Sequence, residues 1–350
     1  MNIAFDCERM KYPHTGLFEY CHQLGLALRA NTSPADDIAY YLRDGDQQYF
    51  NSDSRFLTHN FLHKLVFPNY KNIDLWHITH QTSLYVPRST KIKKVLTIHD
   101  LNFLYEDKPD WKRQNYLKAH QKNIDQADHI VAISEFTKMD VLKNLDIGNT
   151  PVTVIYNGSI DNIVSPEVQP EYLPAAPFLF ALGTVNPKKN FHVLVPLLVN
   201  NDFELIIAGR KDDDYEKKIM DEAEKYQVAD RIKITGPIAD QDKAWYFKNC
   251  EAFLFPSLAE GFGIPPIEAM RFGKPVFLSE STSLPEIGGK YAYYFSSYLA
   301  EEMQRIFSEG MNDYQQRQPA ADIIRHAEQF NWDSSARAYW EVYKSVLNSQ

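Results

Sequence analysis

The chain has 350 residues, 44% of them hydrophobic and 24% charged, the mixture of an ordinary soluble globular protein with enough length for two domains. A formal charge of −9 argues against general nucleic-acid binding, and no window approaches eighteen uninterrupted apolar residues, which argues against a membrane span. Cys7, Cys21 and Cys250 lack metal-ligand spacing, and Met1 leads into NIAFD without a basic, apolar, small-residue leader, so reduced thiols in a cytoplasmic chain are expected.

NIAFD, residues 2–6, reads as the first strand. Thr15-Gly16 then opens LFEYCHQLGLALRA, where Leu17, Tyr20, Leu24 and Leu28 fall at helical spacing. A glycine turn between strand and helix suits a doubly wound fold, with amides facing a phosphate or an acceptor; a plain helix-entry turn explains Gly16 equally well. Short apolar runs follow (DIAYYL, DLWHITH, KKVLTIHDL, ADHIVAIS, TPVTVIYNG), with helical stretches such as DWKRQNYLKAHQKNIDQA between them. That alternation predicts a parallel sheet wrapped by helices, with ligands outside the carboxyl ends of the strands. His77, His80, His99, Asp100, Ser134, Glu135, Asn157 and Gly158 all stand at such ends. His99, closing KKVLTI, is the candidate of choice, although a strand-end histidine also serves as a structural hydrogen-bonder, the role kept for His77 and His80. Asp100 reads as a cap of the following turn.

Charge is uneven, −1 up to Asp161 and −8 beyond it. Arg88–Lys122 holds nine bases and four acids, interleaved with Phe103, Tyr105, Trp111 and Tyr116. Such a segment either lies on anionic headgroups or is a solvated helical face. Ser159–Pro177, with four prolines, reads as a linker.

The second half repeats a strand–turn–helix pattern in FLFALGTVNPKKNFHVLVPLL, LIIAGRKDDDYEKKI and RIKITGPIADQDKAWYFKNC. Lys188, Lys189 and Arg210 fall just beyond buried strands, where cations can neutralise the charge that grows on a diphosphate leaving group. Asp212–Asp214 reads as a helix cap rather than a metal pair. EAFLFPS predicts one more strand, followed by PSLAEGFGIPPIEAMRFGKP. Here Gly261 and Gly263 let a ligand approach the amides, and Ile264 and Pro265 are expected to be extended. The helix is expected to open near Pro266, with Glu268 in its first turn. Two carboxylates flanking free amides at a helix N-terminus suit a ligand with both hydroxyls and an anion, with a solvated loop residue for Glu260 and a helix cap for Glu268 as the plainer alternatives. The tail HAEQFNWDSSARAYWEVYKSVL forms an amphipathic helix carrying Trp340, Val342 and Tyr343.

The whole string from Pro256 to Pro275 resembles the signature of GT-B retaining glycosyltransferases of the family-4 (group 1) type, in which Glu, seven residues, Glu holds a nucleotide-sugar. The resemblance implies an α/β chain of two Rossmann-like domains facing across a cleft. Residues 1–165 would receive the acceptor and 166–328 the nucleotide-sugar, while 329–350 would cross back to the N-terminal domain. It implies that Glu260 contacts donor-sugar hydroxyls, Glu268 the ribose and His99 the sugar's 6-position. Gly261, Phe262, Gly263 and Ile264 would line the donor, Gly16 would lie on its diphosphate side, and the backbone around Ile238 would read the base. Lys189 matches the family's pyrophosphate lysine. Thr184 stands where the family commonly has Arg, so Arg210 is expected to supply that charge. Leu284, Pro285 and Glu286 of STSLPEIGG would close over the nucleotide. Retention and a site without metal or cofactor are likewise implied.

GFGIPPIEAM followed by SLPE looks most like the mannosyltransferase branch. That implies GDP-mannose as donor and a glycan or polyprenyl/lipid-linked acceptor in lipopolysaccharide or other cell-envelope polysaccharide synthesis, with peripheral contact at the inner membrane face. A soluble-acceptor synthase of the same fold and a non-catalytic nucleotide-sugar-binding partner remain as alternatives. A GT-B epimerase or phosphorylase shares the fold but not the Glu-to-Glu loop together with TIHD.

Overall fold

The computed structural model describes residues 1–13, 15–159 and 169–349. The chain divides into two compact units, Met1–Gly158 with Asn331–Gln350, and Ser159–Phe330. The expected boundary at 165/166 lies outside the described residues.

The first unit is a seven-stranded parallel sheet, β1 (Asn2–Asp6), β2 (Asp37–Leu42), β3 (Arg55–Thr58), β4 (Leu75–Ile78), β5 (Lys93–Ile98), β6 (His129–Ala132) and β7 (Val152–Val154), in the order β3-β2-β1-β4-β5-β6-β7. Its central strands are buried on both faces, which is why they read as continuous apolar runs rather than alternating ones. The edge strand β3, RFLT, carries too few apolar residues to show in the sequence. The order reverses between β1 and β4, so the loops after these strands diverge and leave a crevice at their carboxyl ends. Asp6, Thr79 and His80 stand there, with His99 one strand over.

Helix α1 (Gly16–Ala30) is capped by Thr15, whose hydroxyl accepts from the Phe18 amide. Helices α2 (Asp110–Ile124) and α3 (Glu135–Asn144) follow in this unit. The apolar stripe of α1 packs with the chain's last helix, Trp332–Asn348, in one core that includes Tyr20, Leu24, Leu28, Tyr339 and Tyr343. Three buried polar contacts fix that helix on α1 and the sheet. The Trp340 indole donates to the Leu28 carbonyl at 3.0 Å, the Tyr343 hydroxyl meets His77 Nδ1 at 2.7 Å, and the Tyr339 hydroxyl meets Tyr20 at 2.8 Å. An unmade buried hydrogen bond costs about 1–3 kcal/mol, so these contacts select one seating of the helix.

The second unit has six parallel strands, β8 (Phe178–Leu182), β9 (Glu204–Ala208), β10 (Ile232–Gly236), β11 (Ala252–Phe255), β12 (Val276–Ser279) and β13 (Tyr293–Phe295), ordered β10-β9-β8-β11-β12-β13. Its helices are α4 (Asp213–Lys225), α5 (Asp240–Asn249), α6 (Ile264–Arg271), α7 (Leu284–Gly288), α8 (Ala300–Arg317) and α9 (Ala320–Ala327); Trp332–Asn348 is therefore α10. FHVLVPLL, expected as a helix, instead forms a 3₁₀ run, Phe191–Leu198, with Pro196 inside it. Proline there has no amide to donate, and the tighter coil tolerates it. The order of this sheet reverses between β8 and β11. GTVNPKKN after β8 and PSLAEGFG after β11 are thereby brought together, although some seventy residues separate them.

Candidate functional site

In the second unit the sheet's ladder runs past its strand ends into glycine loops. The Gly183 amide donates to the Ala208 carbonyl, Val185 to Arg210 and Gly209 to Gly236, all at 2.8–2.9 Å. The Gly183 loop ends in a short turn, Pro187–Lys189, capped by the Asn186 side chain and closed by Asn190 in the left-handed region at φ 59°. This turn delivers Lys189 Nζ to 2.5 Å from Glu260 Oε1 and 4.4 Å from the centre of the Phe255 ring. The Ser257 hydroxyl donates to the same Glu260 oxygen.

The Lys189 and Glu260 side chains are 12% and 14% exposed. Burial pulls the Lys189 ammonium below its usual value, and contact with Glu260 offsets this only in part. Burial also opposes the charged form of Glu260, but the Lys189 and Lys188 charges and the Ser257 hydroxyl outweigh it and hold the carboxyl below its ordinary range. Both shifts fit an ionised pair, because the low polarity that penalises each charge also strengthens their attraction.

The loop around Glu260 is braced from β12. The Glu260 amide donates to Thr282 Oγ1 at 2.8 Å, and the Ser283 hydroxyl donates to the carbonyls of Glu260 and Phe262 at 3.0 and 2.7 Å. Thr282 itself sits at φ 53°, a conformation unfavourable for a β-branched residue. Strain of this kind persists only where surrounding contacts over-determine the backbone. Gly263, at φ 124°, opens α6, and a Cβ there would lie 2.9 Å from the Leu284 side chain.

Two expectations for this loop need correction. Helix α6 begins at Ile264, so Ile264 and Pro265 are helical rather than extended. The proline ring already holds the helical φ, and at a helix start it has no preceding carbonyl to strike. Glu268 therefore lies in the second turn and does not cap the dipole. It is tied instead to Lys243 of α5 at 2.8 Å, and Lys243 also contacts Asp240 at 3.2 Å. Burial works against the Lys243 charge, yet these two acids hold its ammonium well above the usual range. Phe262 is 4% exposed with its ring 5.8 Å from Phe330. Leu284, expected in a closing loop with Pro285 and Glu286, is fully buried at the start of α7.

The remaining residues of this unit lie at strand ends. Thr184 and Arg210 are exposed beyond β8 and β9, Ile238 is half-buried beyond β10, and Gly261 lies between Glu260 and Phe262. Among the described residues neither Lys188 nor Arg210 has an ion-pair partner, whereas Lys189 and Lys243 are both matched by acids. Asp212 caps α4 by accepting from the Tyr215 amide at 3.2 Å. Ser257, Thr282 and Lys243 carried no signal of their own in the sequence; only the fold brings them to the two glutamates.

In the first unit, His99 is 7% exposed and its Nε2 lies 2.8 Å from the Thr79 carbonyl. A carbonyl can only accept, so Nε2 carries the proton and Nδ1 is left as the acceptor. Tyr20 packs edge-on at 4.6 Å, and His80 stacks at 5.8 Å. Arg9, which the sequence did not single out, reaches His80 Nδ1 at 3.1 Å and Thr82 Oγ1 at 3.0 Å. His77 bonds Tyr343 and Thr97 and is structural. Asp100 accepts from the Asn102 amide at 3.0 Å, as a turn cap does. Gly16 is the first residue of α1, and a Cβ there would meet nothing within 4 Å.

Burial pushes His77, His80 and His99 below the usual histidine value of 6.5, His77 to about 3, and it pushes Asp6 up to about 7. A histidine depressed in the fold takes up its proton only when the chain unfolds. Its stabilising effect is complete above the unfolded value and is lost as pH falls below it. Asp6 acts in the opposite direction between 3.8 and about 7 and offsets about one of the three histidines. The melting temperature of the first unit should therefore fall between pH 7 and 5. Calorimetry across that range checks this, and a rise on acidification would contradict the buried neutral histidines.

The described residues contain no group of three or more His, Cys, Asp or Glu able to hold a metal ion, and no helix long and apolar enough to cross a membrane. Residues 27–159 match the family model described as Glycosyltransferase Family 4, and residues 170–329 match Glycosyl transferases group 1. The O-antigen chain mannosyltransferase B of Escherichia coli is 24% identical over 98% of this chain and 100% of its own length. The serotype-specific mannosyltransferase WbdA of Escherichia coli is 26% identical over 73% of this chain, which spans only 34% of that relative. Among solved structures, the sucrose-phosphate synthase of Thermosynechococcus elongatus superposes with a TM-score of 0.76 at 17% identity, covering 100% of both chains. Anabaena HepE in complex with UDP and glucose superposes with a TM-score of 0.74 at 18% identity, over 99% of this chain and 100% of that one.

Proposed function

The chain belongs to the family-4, group 1 glycosyltransferases, and on that premise we propose that it transfers a hexose, mannose in the first instance, from a nucleotide diphosphate sugar to a hydroxyl of a glycan or lipid-linked acceptor in cell-envelope polysaccharide synthesis. The observation that carries the reading is the Lys189–Glu260 pair at the point where the second sheet reverses its strand order. Mannose is favoured by the printed activities of the Escherichia coli relatives, and GDP-mannose as donor by the resemblance of GFGIPPIEAM and SLPE to the mannosyltransferase branch.

In this reading Lys188, Lys189 and Arg210 share the charge of the departing diphosphate, aided by the Gly263 and Ile264 amides at the start of α6, where Pro265 and Pro266 have none to give. Arginine grips two oxygens at once while lysine acts as a point charge, so Arg210 orients the diphosphate and the lysines neutralise it. Glu260, held by Lys189 and Ser257, accepts from sugar hydroxyls with its remaining lone pairs, and Glu268 does the same for the ribose. His99, with its proton fixed on Nε2, offers Nδ1 to a sugar hydroxyl. No side chain is assigned as a covalent nucleophile. The sugar–phosphate bond breaks as the acceptor oxygen bonds the anomeric carbon on the same face, and the acceptor's proton passes to the departing phosphate.

Thermal melting against GDP-, UDP- and ADP-sugars tests the assignment. A ligand at a hundred times its Kd adds about 2.7 kcal/mol to stability, so the cognate donor stands out. GDP-mannose should raise the melting temperature most and release GDP once an acceptor is supplied. A larger shift with a UDP-sugar would overturn the mannose assignment, and binding without GDP release under any acceptor would favour a non-catalytic partner.

A further inference from the structure

The segment between β3 and β4 in the first unit has two faces of opposite character. His59, His63 and Phe67, four residues apart, turn inward. His59 packs on Tyr85 with centroids 4.4 Å apart, His63 Nδ1 meets the Tyr41 hydroxyl at 2.9 Å, and Phe67 lies edge-on to Trp76 at 5.0 Å. Phe61, Leu62, Leu65 and Val66 turn outward on the same short turn and are 70%, 50%, 69% and 76% exposed. Single exposed apolar residues are ordinary, but four on one anchored turn form a contiguous patch that water penalises. Lys64, between them in sequence, is exposed at the margin of the patch with its ammonium 5.5 Å from the Tyr85 ring centre, and Lys71 is exposed further along. No acidic residue occurs between Asp53 and Asp74.

We propose that this turn inserts into an anionic phospholipid bilayer surface, with Phe61, Leu62, Leu65 and Val66 entering the acyl boundary and Lys64 and Lys71 lying among the headgroups. An apolar patch with lysines at its margin and no acid beside it in sequence suits an anionic bilayer better than a protein partner. At a protein interface the ammonium would have to be desolvated, and lysine is depleted from such cores, whereas at a bilayer its stem lies along the apolar layer while its head stays wet. Insertion of the apolar side chains and attraction of the bases to anionic lipid reinforce each other.

The basic segment 88–122, expected to make such a contact, is a poorer candidate. Lys94 is buried and donates to the Ser89 and Ile92 carbonyls, while Lys93, Lys108 and Arg113 are paired with Asp128, Glu106 and Asp110. The turn at 61–66 lies outside the residues assigned to transfer, so attachment can be read without turnover.

The test is co-sedimentation of the full chain with vesicles of mixed phosphatidylglycerol and phosphatidylcholine, and with phosphatidylcholine alone. The chain should bind the mixed vesicles and bind phosphatidylcholine far more weakly. The double variant Leu65→Ser, Val66→Ser should lower binding roughly tenfold or more, and Lys64→Ser about fivefold. Lys112→Ser with Arg113→Ser should leave binding unchanged. A parental melting temperature for each variant excludes misfolding, since these positions are exposed. The proposal is overturned if the chain ignores mixed vesicles, if the double variant binds as the parent does, or if binding depends on Lys112 and Arg113 instead. A self-association lost in the double variant without any vesicle binding would make a second copy the occupant and overturn it equally.

Discussion

Lys189→Ala should lower kcat roughly 10²–10³-fold at saturating donor, the scale seen when one group stabilising transition-state charge is removed. The ammonium is placed by the turn after β8, and its stem packs 3.0 Å from where a Cβ on Gly183 would stand. Little room is left for the larger guanidinium, so Lys189→Arg should rescue poorly. The alanine substitution also leaves the Glu260 carboxylate buried without its cation. Breaking a fully buried pair costs about 3–5 kcal/mol, and the loss here should be smaller because both groups keep some exposure. Two effects are therefore mixed in the single variant, and a second change separates them. Adding Glu260→Gln removes the uncompensated charge, so the double variant should regain melting temperature without regaining turnover. Steady-state kinetics beside melting curves reads both quantities. An unchanged kcat in Lys189→Ala would sink the charge-stabilisation account, and a double variant restored in both respects would make the pair merely structural.

Gly209→Ala should be among the most damaging single-methyl changes in the second unit. Its φ of 144° is rarely adopted by residues with a side chain, and a Cβ there would lie 2.0 Å from the Gly183 carbonyl oxygen. That contact is with backbone, so no rotamer change relieves it. Either the loop after β8 or the loop after β9 must move, and the ladder bonds from Gly209 to Gly236 and from Gly183 to Ala208 move with it. Backbone strain and overpacking each cost about 1–3 kcal/mol, so a loss of roughly 3 kcal/mol is expected. For a unit of this size that corresponds to about 6–12 °C in melting temperature. Because the displaced loop carries Lys189, the donor's stabilising effect on melting should shrink as well. A variant that melts with the parent and responds fully to donor would show that the two loops are not packed as described.

Much of this architecture could be read from the residues because it is local. Runs such as IAF, LIIA and AFLF are buried on both faces and so appear as unbroken apolar strings. The amphipathic stripe of α1 repeats at helical period, and glycine marks the turns between. Strand-end placement of His99, Lys189, Arg210 and Glu260 follows from the same local patterns, because in a parallel sheet each strand points its carboxyl end the same way.

What the residues could not disclose is which strand ends meet. Lys189 faces Glu260 because β8 and β11 are neighbours where the sheet reverses. Glu268 faces Lys243 because α5 and α6 pack together, and no local pattern joins those positions. The start of α6 at Ile264 was hidden for a related reason. The dipeptide rule before proline argues for extension, but the brace from Thr282 and Ser283 holds the preceding loop so that the helix begins there. Sequence alone therefore determined most of the elements, though not β3 or the 3₁₀ run at 191–198, together with the parallel character of the sheets and the chemical character of the loops, since these depend on backbone preference and burial within a few residues. Tertiary structure decided the ion pairs, the seating of α10 on His77 and the exposed apolar turn at 61–66, since each depends on what lies opposite a side chain once distant segments have packed.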